Sequence, residues 1–478
     1  MIYLIENNIC LLTDSYKLTH HYLYPKGTER IYSYLESRAG AEFNKTIFYG
    51  LQYILKKYLT GNVVSEEKVL EAEKIVDAHI APGIFNTDDW MYIAQELDGK
   101  LPVEIKAIPE GSPVNVGNAL MTIENTDKHA YWLPNYLESL LRQVWYPSTI
   151  ATLSAEVRKL CNFYLDVTGS SKDNLNFMLH DFGYRGASST ESSMLCGSAH
   201  LLSFSGTDTV PALAIPENYY NANEIQGFSV QATEHSVMTS MGPDGEMEQA
   251  INVVRNAHDG ILSIVIDSYD YKNFLKNACI EGHELNKEII SFLNKSEGNK
   301  IVFRPDSGEP VSTTIDCLEI IEKGFTTQKN SKGYKTFNAN IGLLWGDGLN
   351  YQKIRDILFG IKTQGWAAEN LIFGMGGGLH TAVNRDTQRN AFKCSAQLRN
   401  GEWIDIFKKP LDSSKKSKKG RFKLLLNDNF EYSTVPISCE GEDQLRTVFK
   451  NGELLIDDSF EDIKKRTETY NKFPVDFK

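Results

Sequence analysis

The stretch LIFGMGGGLH, residues 371–380, places a short apolar run directly before a glycine-rich turn. Glycine has no Cβ, so a backbone rich in glycine can turn sharply and bring its N–H groups close to a ligand. An apolar strand followed by such a turn and a helix is a common phosphate-binding arrangement. No Lys-Ser/Thr pair follows the glycines, so this is not a Walker loop. A tight turn that binds nothing is the alternative.

The same pattern recurs upstream, where apolar runs end in turns that carry charged residues or glycine. The clearest of these runs are residues 261–266, 301–303 and 341–345. Roughly seven such units lie between residues 177 and 380, with helix-length segments between them, and this alternation predicts a parallel sheet. The residues that follow the strands would then share one face, as in a barrel or an open doubly wound sheet.

Length and composition exclude several classes of protein. The 478 residues suggest two or three domains, or a barrel with a companion domain. A net charge of −12 argues against a general nucleic-acid or anionic-membrane binder. No apolar run is long enough to span a membrane, and residues 1–12 do not resemble a signal peptide. The seven scattered cysteines form no CxxC pair, which predicts reduced thiols and a cytoplasmic protein.

The turns after the strands supply groups suited to a phosphorylated sugar, a magnesium ion and an aromatic ring. Arginines bind phosphate, aspartates bind ribose hydroxyls or hydrated magnesium, and aromatic rings stack on a flat heterocycle. Each group also has a structural interpretation, as a surface ion pair, a helix cap, a structural histidine or a core ring. The candidates are Arg185, Arg304, Arg385, Asp208, Asp270, Asp306, Asp347, His235, Phe182, Tyr16 and Tyr184.

Eleven segments between residue 13 and residue 421 resemble the nicotinamide phosphoribosyltransferases, which belong to the type II phosphoribosyltransferase family. The segments are TDSYKLTHHYLYP, FYGLQYILKKYL, LHDFGYRG, SFSGTDTVPALA, EHSVM, DSYDYKN, RPDSGEP, GDGLN, FGMGGGL, NRDTQRNAFKCS and SKKGR. The matches are long, and they extend over most of the chain.

The resemblance implies a fold and an assembly. The fold is an α/β class protein, with an irregular barrel at residues 151–390 and a β-rich companion domain. Both chain ends, residues 1–150 and 391–478, would form that companion domain. The assembly would be a homodimer with active sites at its interface.

The resemblance also implies a reaction. Nicotinamide and phosphoribosyl pyrophosphate would give nicotinamide mononucleotide and pyrophosphate, with Mg²⁺, in NAD salvage. ATP would act as a stimulating co-substrate that phosphorylates His235. No nucleic acid or membrane would take part, and the resemblance leaves the direct metal ligands unassigned.

Site roles follow from the same resemblance. Phe182 would stack on the pyridine ring, with Tyr16 of the other protomer on the opposite face, and Asp208 would accept the carboxamide N–H. The catalytic residues would be His235, Asp306 and Arg304, and Asp270 is added from the turn residues themselves. The substrate-binding residues would be Phe182, Tyr16, Asp208, Arg185, Arg304, Asp306, Gly346, Asp347, Gly376, Gly377, Arg385 and Lys393.

Three other functions compete with this interpretation. Nicotinate phosphoribosyltransferase has the same chemistry, but a carboxylate at Asp208 would repel the carboxylate of nicotinate. A non-catalytic metabolite-binding protein could share the scaffold, and a barrel oxidoreductase would need a GxGxxG fingerprint that the first βα turn lacks. Ile266 and Ala391 depart from the animal enzymes, which carry serines at these positions, and their effect on affinity stays open.

Overall fold

The computed structural model describes residues 5–338, 340–408 and 417–475. Its strands, numbered in chain order, are short, and those in the middle of the chain alternate with helices. They are β1 Thr28–Ser37, β2 Lys45–Ile47, β3 Val103–Ala107, β4 Pro113–Asn115, β5 Ala119–Asn125, β6 Leu179–Asp181, β7 Gly206–Thr207, β8 Gln231–Ala232, β9 Ile261–Val265, β10 Lys300–Arg304, β11 Thr327–Lys329, β12 Lys335–Phe337, β13 Ile341–Trp345, β14 Leu371–Met375, β15 Asn390–Arg399, β16 Glu402–Asp405, β17 Phe422–Leu426, β18 Tyr432–Pro436, β19 Arg446–Lys450 and β20 Glu453–Leu454.

The α-helices range from single turns to one helix of 24 residues, α7. In chain order they are α1 His20–Leu23, α2 Leu51–Ile54, α3 Glu66–His79, α4 Thr87–Glu96, α5 Leu133–Tyr136, α6 Glu138–Leu141, α7 Trp145–Thr168, α8 Thr190–His200, α9 Ala214–Tyr220, α10 His235–Met238, α11 Glu246–Asn256, α12 Tyr271–Cys279, α13 Glu284–Lys295, α14 Pro310–Gly324, α15 Tyr351–Thr363, α16 Gly377–His380 and α17 Phe460–Glu468. Among the described residues, no helix is both long and apolar enough to cross a lipid bilayer.

The chain divides into two compact units, each with its own main sheet. The first unit comprises Met1–Thr152, Ile215–Asn223 and Asn384–Thr469, and the second comprises Leu153–Ala214, Glu224–Val383 and Tyr470–Lys478. The domain boundaries drawn from the sequence stay a prediction.

Seven parallel strands form the main sheet of the second unit, in the order β7-β6-β14-β13-β10-β9-β8. Phe228, just before β8, forms a parallel bridge with Gly206 in β7, and its N–H donates to the Ser205 carbonyl over 2.7 Å. The two edges of the sheet meet at this bridge, so the strands curve into an irregular barrel. This confirms the barrel and not the open sheet.

The predicted apolar runs correspond closely to the central strands of this barrel. Residues 301–303 and 341–345 lie in β10 and β13, where Ile301 pairs with Ile341 and Phe303 with Leu343. These side chains are buried, as expected for strands covered on both faces. Helices follow the strands, and α14 packs against both α12 and α15. The turns that carry the candidate residues therefore lie together at the carboxyl ends of the strands.

A seven-stranded antiparallel sheet forms the first unit, in the order β16-β15-β1-β5-β3-β19-β20. Three of its strands come from the start of the chain and four from its end, which confirms the β-rich domain built by both chain ends. Its core includes Tyr32, Tyr34 and Phe422, whose rings pack edge to face at centroid distances of 5.0–5.5 Å.

One helix boundary differs from the sequence interpretation. The periodicity predicts a helical region over residues 131–167 that is interrupted at Pro147. The structure instead begins α7 at Trp145 and continues it to Thr168, with Pro147 in the first turn. A proline there costs little, because the N–H groups of the first turn have no partner within the helix. The prediction of a break at Pro147 is therefore wrong.

Candidate active site

Two adjoining cavities lie in the second unit. One has a volume of about 300 Å³ and is lined mainly by apolar side chains from the middle of the strands, including Val302, Leu344 and Ile372. The other has a volume of about 480 Å³ and is lined by residues that follow the strands. Phe182, Asp208, Ala232 and Arg304 line both cavities. Volumes in this range suit a small ligand with an apolar part and a charged part.

The more polar cavity brings together most of the predicted residues of this unit. Its lining includes Phe182, Tyr184, Arg185, Asp208, His235, Arg304 and Asp306. These residues come from turns spread between residues 182 and 306, and parallel strands deliver their carboxyl ends to one face. The placement expected from the strand pattern is therefore present for this group.

Arg304 connects the aromatic and the acidic side of the cavity. Its guanidinium Cζ lies 4.9 Å from the centroid of the Phe182 ring. Its Nε and Nη2 donate to the two carboxylate oxygens of Asp306, over 2.9 and 2.7 Å. Both charged side chains are largely buried, at 14% and 15% exposure. A bidentate pair of this kind is rigid, so one face of Phe182 is covered by a fixed positive charge.

Asp208 stands on the wall shared by the two cavities, and its carboxylate has a fixed orientation. The Ser229 hydroxyl donates to Oδ1 over 2.5 Å, and the Asp208 N–H donates to the Asp181 carbonyl over 2.9 Å. Oδ2 can then accept a hydrogen bond from a ligand. Ser229 was not predicted, because a single hydroxyl after an apolar run carries no distinctive pattern.

His235 begins α10, and its ring is half exposed. Its Nε2 lies 3.2 Å from Oδ1 of Asp267, whose side chain is 4% exposed. A carboxylate only accepts hydrogen bonds, so Nε2 carries a proton, and in the neutral form of the ring the lone pair is on Nδ1. Asp267 was not singled out from the sequence, although it directly follows an apolar run.

The glycine-rich turn lies between β14 and α16, as expected. None of its glycines is among the described residues with positive φ. Close packing instead requires three of the four glycines, since a Cβ on Gly377 would make only an ordinary contact with Thr381. A Cβ on Gly374 would lie 2.2 Å from the Phe182 ring, and one on Gly378 would lie 1.9 Å from the Leu349 carbonyl oxygen. A Cβ on Gly376 would lie 3.1 Å from the Phe182 carbonyl oxygen. The turn is thus packed directly against Phe182, which follows β6.

Three further predicted residues occupy other positions in this unit. Asp270 caps α12, and its carboxylate accepts from the N–H groups of Lys272 and Asn273. Gly346 lies against the Arg304–Asp306 pair, since a Cβ there would lie 2.9 Å from both. Asp347 is exposed. The catalytic role of Asp270 and the binding roles of Gly346 and Asp347 stay predictions.

Tyr16, Arg385 and Lys393 belong to the first unit. Tyr16 is 59% exposed, and Arg385 forms an exposed pair with Asp386 at 3.2 Å. Lys393 lies on β15. Burial lowers the pKa of the Lys393 ammonium, Glu138 opposes this, and Arg142 and other cations lower it further.

Lys393 therefore belongs to a cluster of positive charges in the first unit. Besides Lys393, the cluster contains Arg38, Arg142 and Lys408. The sequence interpretation did not include these three, since no local sequence pattern connects them with Lys393.

Comparison with known proteins identifies the family. Residues 177–453 match the nicotinate phosphoribosyltransferase (NAPRTase) family, and residues 8–105 match the N-terminal domain of nicotinamide phosphoribosyltransferase. The chain belongs to the nicotinate phosphoribosyltransferase family. It is a pentosyltransferase enzyme, as the resemblance in sequence predicts.

Several curated members of the family are similar over nearly their whole length. The nicotinamide phosphoribosyltransferase of Xanthomonas campestris pv. campestris is 40% identical, over 97% of this chain and 98% of that protein. The nicotinamide phosphoribosyltransferase of Acinetobacter baylyi is 32% identical, over 95% of each. That of Mycoplasma genitalium is 32% identical, over 86% of this chain and 95% of that protein.

Two solved structures share the fold at low sequence identity. A nicotinate-nucleotide pyrophosphorylase from Pyrococcus furiosus aligns with a TM-score of 0.62 at 14% identity, over 99% of this chain and 97% of that chain. Human nicotinic acid phosphoribosyltransferase aligns with a TM-score of 0.58 at 15% identity, over 97% of this chain and 96% of that chain. These alignments support the barrel and the companion domain.

Proposed function

We propose that this protein is a nicotinamide phosphoribosyltransferase of NAD salvage. It converts nicotinamide and phosphoribosyl pyrophosphate to nicotinamide mononucleotide and pyrophosphate. The observation that carries the proposal is Asp208, whose carboxylate lies on the cavity wall together with Phe182 and is oriented by Ser229. A fixed carboxylate accepts from a carboxamide N–H and repels a carboxylate. The names of the three curated relatives agree with this choice.

The ring would bind by stacking and by one directed hydrogen bond. Phe182 offers the face that Arg304 leaves uncovered, and Oδ2 of Asp208 accepts from the carboxamide. Tyr16 of a second copy would cover the opposite face of the ring, which agrees with its exposure. Two rings and one acceptor fix the pyridine nitrogen toward the ribose, and this positioning supplies a large part of the rate.

The reaction at C1 of the ribose needs no base from the protein. The lone pair of the pyridine nitrogen forms the new bond to C1, and the bond from C1 to pyrophosphate breaks with its electron pair on the leaving oxygen. Arg185 and Arg304 line the same cavity and stabilise the negative charge that develops on the leaving group. Asp306 lies beside them and would accept from the ribose hydroxyls.

The phosphate at C5 of the ribose would bind to the glycine-rich turn. Backbone N–H groups of Gly376 and Gly377 would donate to it, with Gly346 and Asp347 along the ribose. Arg385 and Lys393 of a second copy would neutralise its charge, which agrees with the positive cluster around Lys393. The functional assembly would then be a homodimer with active sites at its interface.

Magnesium would enter with phosphoribosyl pyrophosphate as part of the substrate. Among the described residues, no group of three or more His, Cys, Asp or Glu side chains is arranged to hold a metal ion. Both oxygens of Asp306 already accept from Arg304. The described part of the protein therefore offers few carboxylate ligands, which agrees with Mg²⁺ held mainly by substrate phosphates and waters. When bound, the ion would lower the negative charge of the pyrophosphate.

ATP would stimulate the reaction through a phosphohistidine at His235. The Nδ1 lone pair forms a bond to the γ-phosphorus as the bond from that phosphorus to the bridging oxygen breaks, and ADP leaves with the electron pair. Asp267 holds the proton on Nε2 and orients the ring for this attack. Water later hydrolyses the N–P bond and releases phosphate. The alternative to this covalent role is that His235 only forms a hydrogen bond with pyrophosphate.

A second function, nicotinate phosphoribosyltransferase, is kept because the family match over residues 177–453 carries that description. The two functions are separated by pyrophosphate release from phosphoribosyl pyrophosphate with each pyridine supplied alone. We expect release with nicotinamide and at least tenfold less, as an order of magnitude, with nicotinate. Pyrophosphate release with nicotinate and not with nicotinamide would establish the second function. Release with neither would remove both.

A further inference from the structure

A buried hydrogen bond between an aspartate and a histidine lies beneath the candidate active site and was not part of the site described above. His380, the last residue of α16, places Nε2 at 2.7 Å from Oδ1 of Asp181, the last residue of β6. Both side chains are fully buried, at 0% exposure. The two residues are 199 positions apart in the chain, so the contact joins two separate turns of the barrel.

Asp181 also connects to two other turns that carry candidate substrate-binding residues. Its Oδ1 accepts from the N–H of Gly183 over 2.8 Å, which shapes the turn after Phe182. Its backbone carbonyl accepts from the N–H of Asp208 over 2.9 Å. Asp181 therefore contacts the backbone beside the stacking ring and the backbone of the carboxamide acceptor.

His380 connects the same carboxylate to the glycine-rich turn. It ends the single turn of helix that follows Met375, and the Met375 carbonyl accepts from the Phe182 N–H over 3.1 Å. Gly183 lies so close that a Cβ there would be 2.1 Å from Cδ2 of His380. The imidazole is thus enclosed between the phosphate-side turn and the pyridine-side turn.

The electrostatics support a strong contact. Burial opposes the charge of Asp181, but the hydrogen bond and charge of His380, together with His200 and the Gly183 N–H, hold the pKa of the Asp181 carboxyl below its ordinary value. A buried carboxylate is tolerated only when it is paired and hydrogen-bonded, so loss of His380 would leave Asp181 poorly compensated.

We infer that Asp181 and His380 form a positioning pair that sets the separation between the glycine-rich turn and the turns of Phe182 and Asp208. The inference rests on the proposed function, in which the first turn binds the ribose phosphate and the other two bind nicotinamide. Neither side chain reaches the cavity surface, so the pair acts through the backbone of the three turns.

The test compares four purified full-length variants by steady-state kinetics and by amide hydrogen exchange. His380→Ala removes the contact, and His380→Gln restores a donor near the position of Nε2. Gly183→Ala displaces the imidazole and removes no hydrogen-bonding group. Ile289→Ala, in a fully buried position on α13, is the control for general loss of stability.

Positioning predicts a kinetic effect confined to one substrate. His380→Ala and Gly183→Ala should raise the KM for phosphoribosyl pyrophosphate about tenfold and change the KM for nicotinamide less than about twofold. In both variants, amide hydrogen exchange should be faster at residues 374–381 than in the wild-type protein. His380→Gln should recover most of both effects, and Ile289→Ala should lower Tm without moving either KM. If His380→Ala does not fold, Gly183→Ala and His380→Gln carry the comparison.

Two results would overturn the pair's role. One is an unchanged KM for phosphoribosyl pyrophosphate and unchanged exchange in His380→Ala and Gly183→Ala. The other is an equal change in both KM values that His380→Gln does not rescue. The exchange measurement needs no turnover. If the wild-type protein fails to react with nicotinamide, the proposed function fails, and the exchange result still decides whether the pair holds the turn.

Discussion

In the proposed function, Asp208 determines whether the site accepts a pyridine ring with an amide or one with a carboxylate. We predict that Asp208→Asn raises the ratio of kcat/KM for nicotinate to that for nicotinamide by about tenfold or more, because the neutral amide no longer repels the nicotinate carboxylate. Ser229→Ala is the matched control, since it removes the 2.5 Å hydrogen bond and keeps the charge. It should retain the preference for nicotinamide. A ratio that Asp208→Asn leaves unchanged would contradict the assignment.

His235 separates a covalent role from a binding role. With a phosphohistidine, incubation with γ-labelled ATP should give an acid-labile label on the wild-type protein, and ATP should lower the KM for nicotinamide. His235→Ala should lose both effects and keep a slow reaction without ATP, whereas His258→Ala, elsewhere in the same unit, should behave as wild type. Absence of any acid-labile label on the wild-type protein excludes the covalent step.

Residues at or just after the carboxyl ends of strands were the most predictable from sequence. Phe182, Asp208, Arg304 and Asp306 line the cavities as the strand pattern requires, because parallel strands end at one face. The Asp181–His380 pair could not be predicted in the same way. Its two members are far apart in the chain, and a buried Asp–His contact leaves no periodic pattern.

At the scale of elements, strands that contain a long apolar run were predicted well from the sequence. Very short strands were predicted poorly. Strands β7 and β8 have two residues each, too few for a period to be recognised. Pro147 was misinterpreted because its tolerance depends on where the helix begins, which the side-chain pattern of residues 131–167 does not reveal. The glycine-rich turn was located correctly, but three of its glycines are needed for close packing, which depends on the neighbouring strand.

The loop between β3 and β4 contains a buried carboxylate, Glu110, that should link stability to pH. Glu110 accepts from the N–H groups of Gly50 and Gln52 and from the Tyr220 hydroxyl. Burial raises the pKa of Glu110 from 4.5 to about 7, although these hydrogen bonds oppose the shift. The folded protein then binds an extra proton between these two values. The contribution of Glu110 to the free energy of unfolding is fully present below pH 4.5 and is lost as the pH rises through 7.

We therefore predict that Tm falls with rising pH more steeply in the wild-type protein than in Glu110→Gln. Between pH 5 and pH 8, the Tm of the wild-type protein, measured by calorimetry, should fall by about 2–5 °C more than the Tm of Glu110→Gln. Glutamine does not ionise in this range, so its hydrogen bonds do not change. Glu67→Gln, at an exposed position on α3, should follow the wild-type curve. Parallel curves for wild type and Glu110→Gln would contradict the shift.

At the scale of the whole molecule, the proposal requires active sites shared between two copies. Tyr16→Ala and Asp208→Ala protomers, each inactive alone, should regain about a quarter of wild-type activity after subunit exchange, since half of the dimers would hold one intact site. Asp208→Ala mixed with Arg304→Ala is the control. Both residues line the cavities of the same unit, so exchange restores no site. No recovery in the first mixture, with exchange verified by mass, would count against shared sites.

The overall architecture was predictable because each sheet leaves its own pattern. Continuous apolar runs predicted the parallel barrel strands. In residues 101–125, short alternating segments separated by prolines and glycines predict a small antiparallel β unit. The contribution of both chain ends to one antiparallel sheet came from the family resemblance. Its pairings, such as Tyr34 with Lys393, join residues too distant for local pattern to specify.

The central claim is that this enzyme attaches phosphoribose to nicotinamide. The most direct measurement supplies nicotinamide, nicotinate and magnesium phosphoribosyl pyrophosphate together, at equal pyridine concentrations, and identifies the products by mass spectrometry. We predict that nicotinamide mononucleotide exceeds nicotinate mononucleotide by at least tenfold, as an order of magnitude. Equal amounts of the two products, or an excess of nicotinate mononucleotide, would contradict the account.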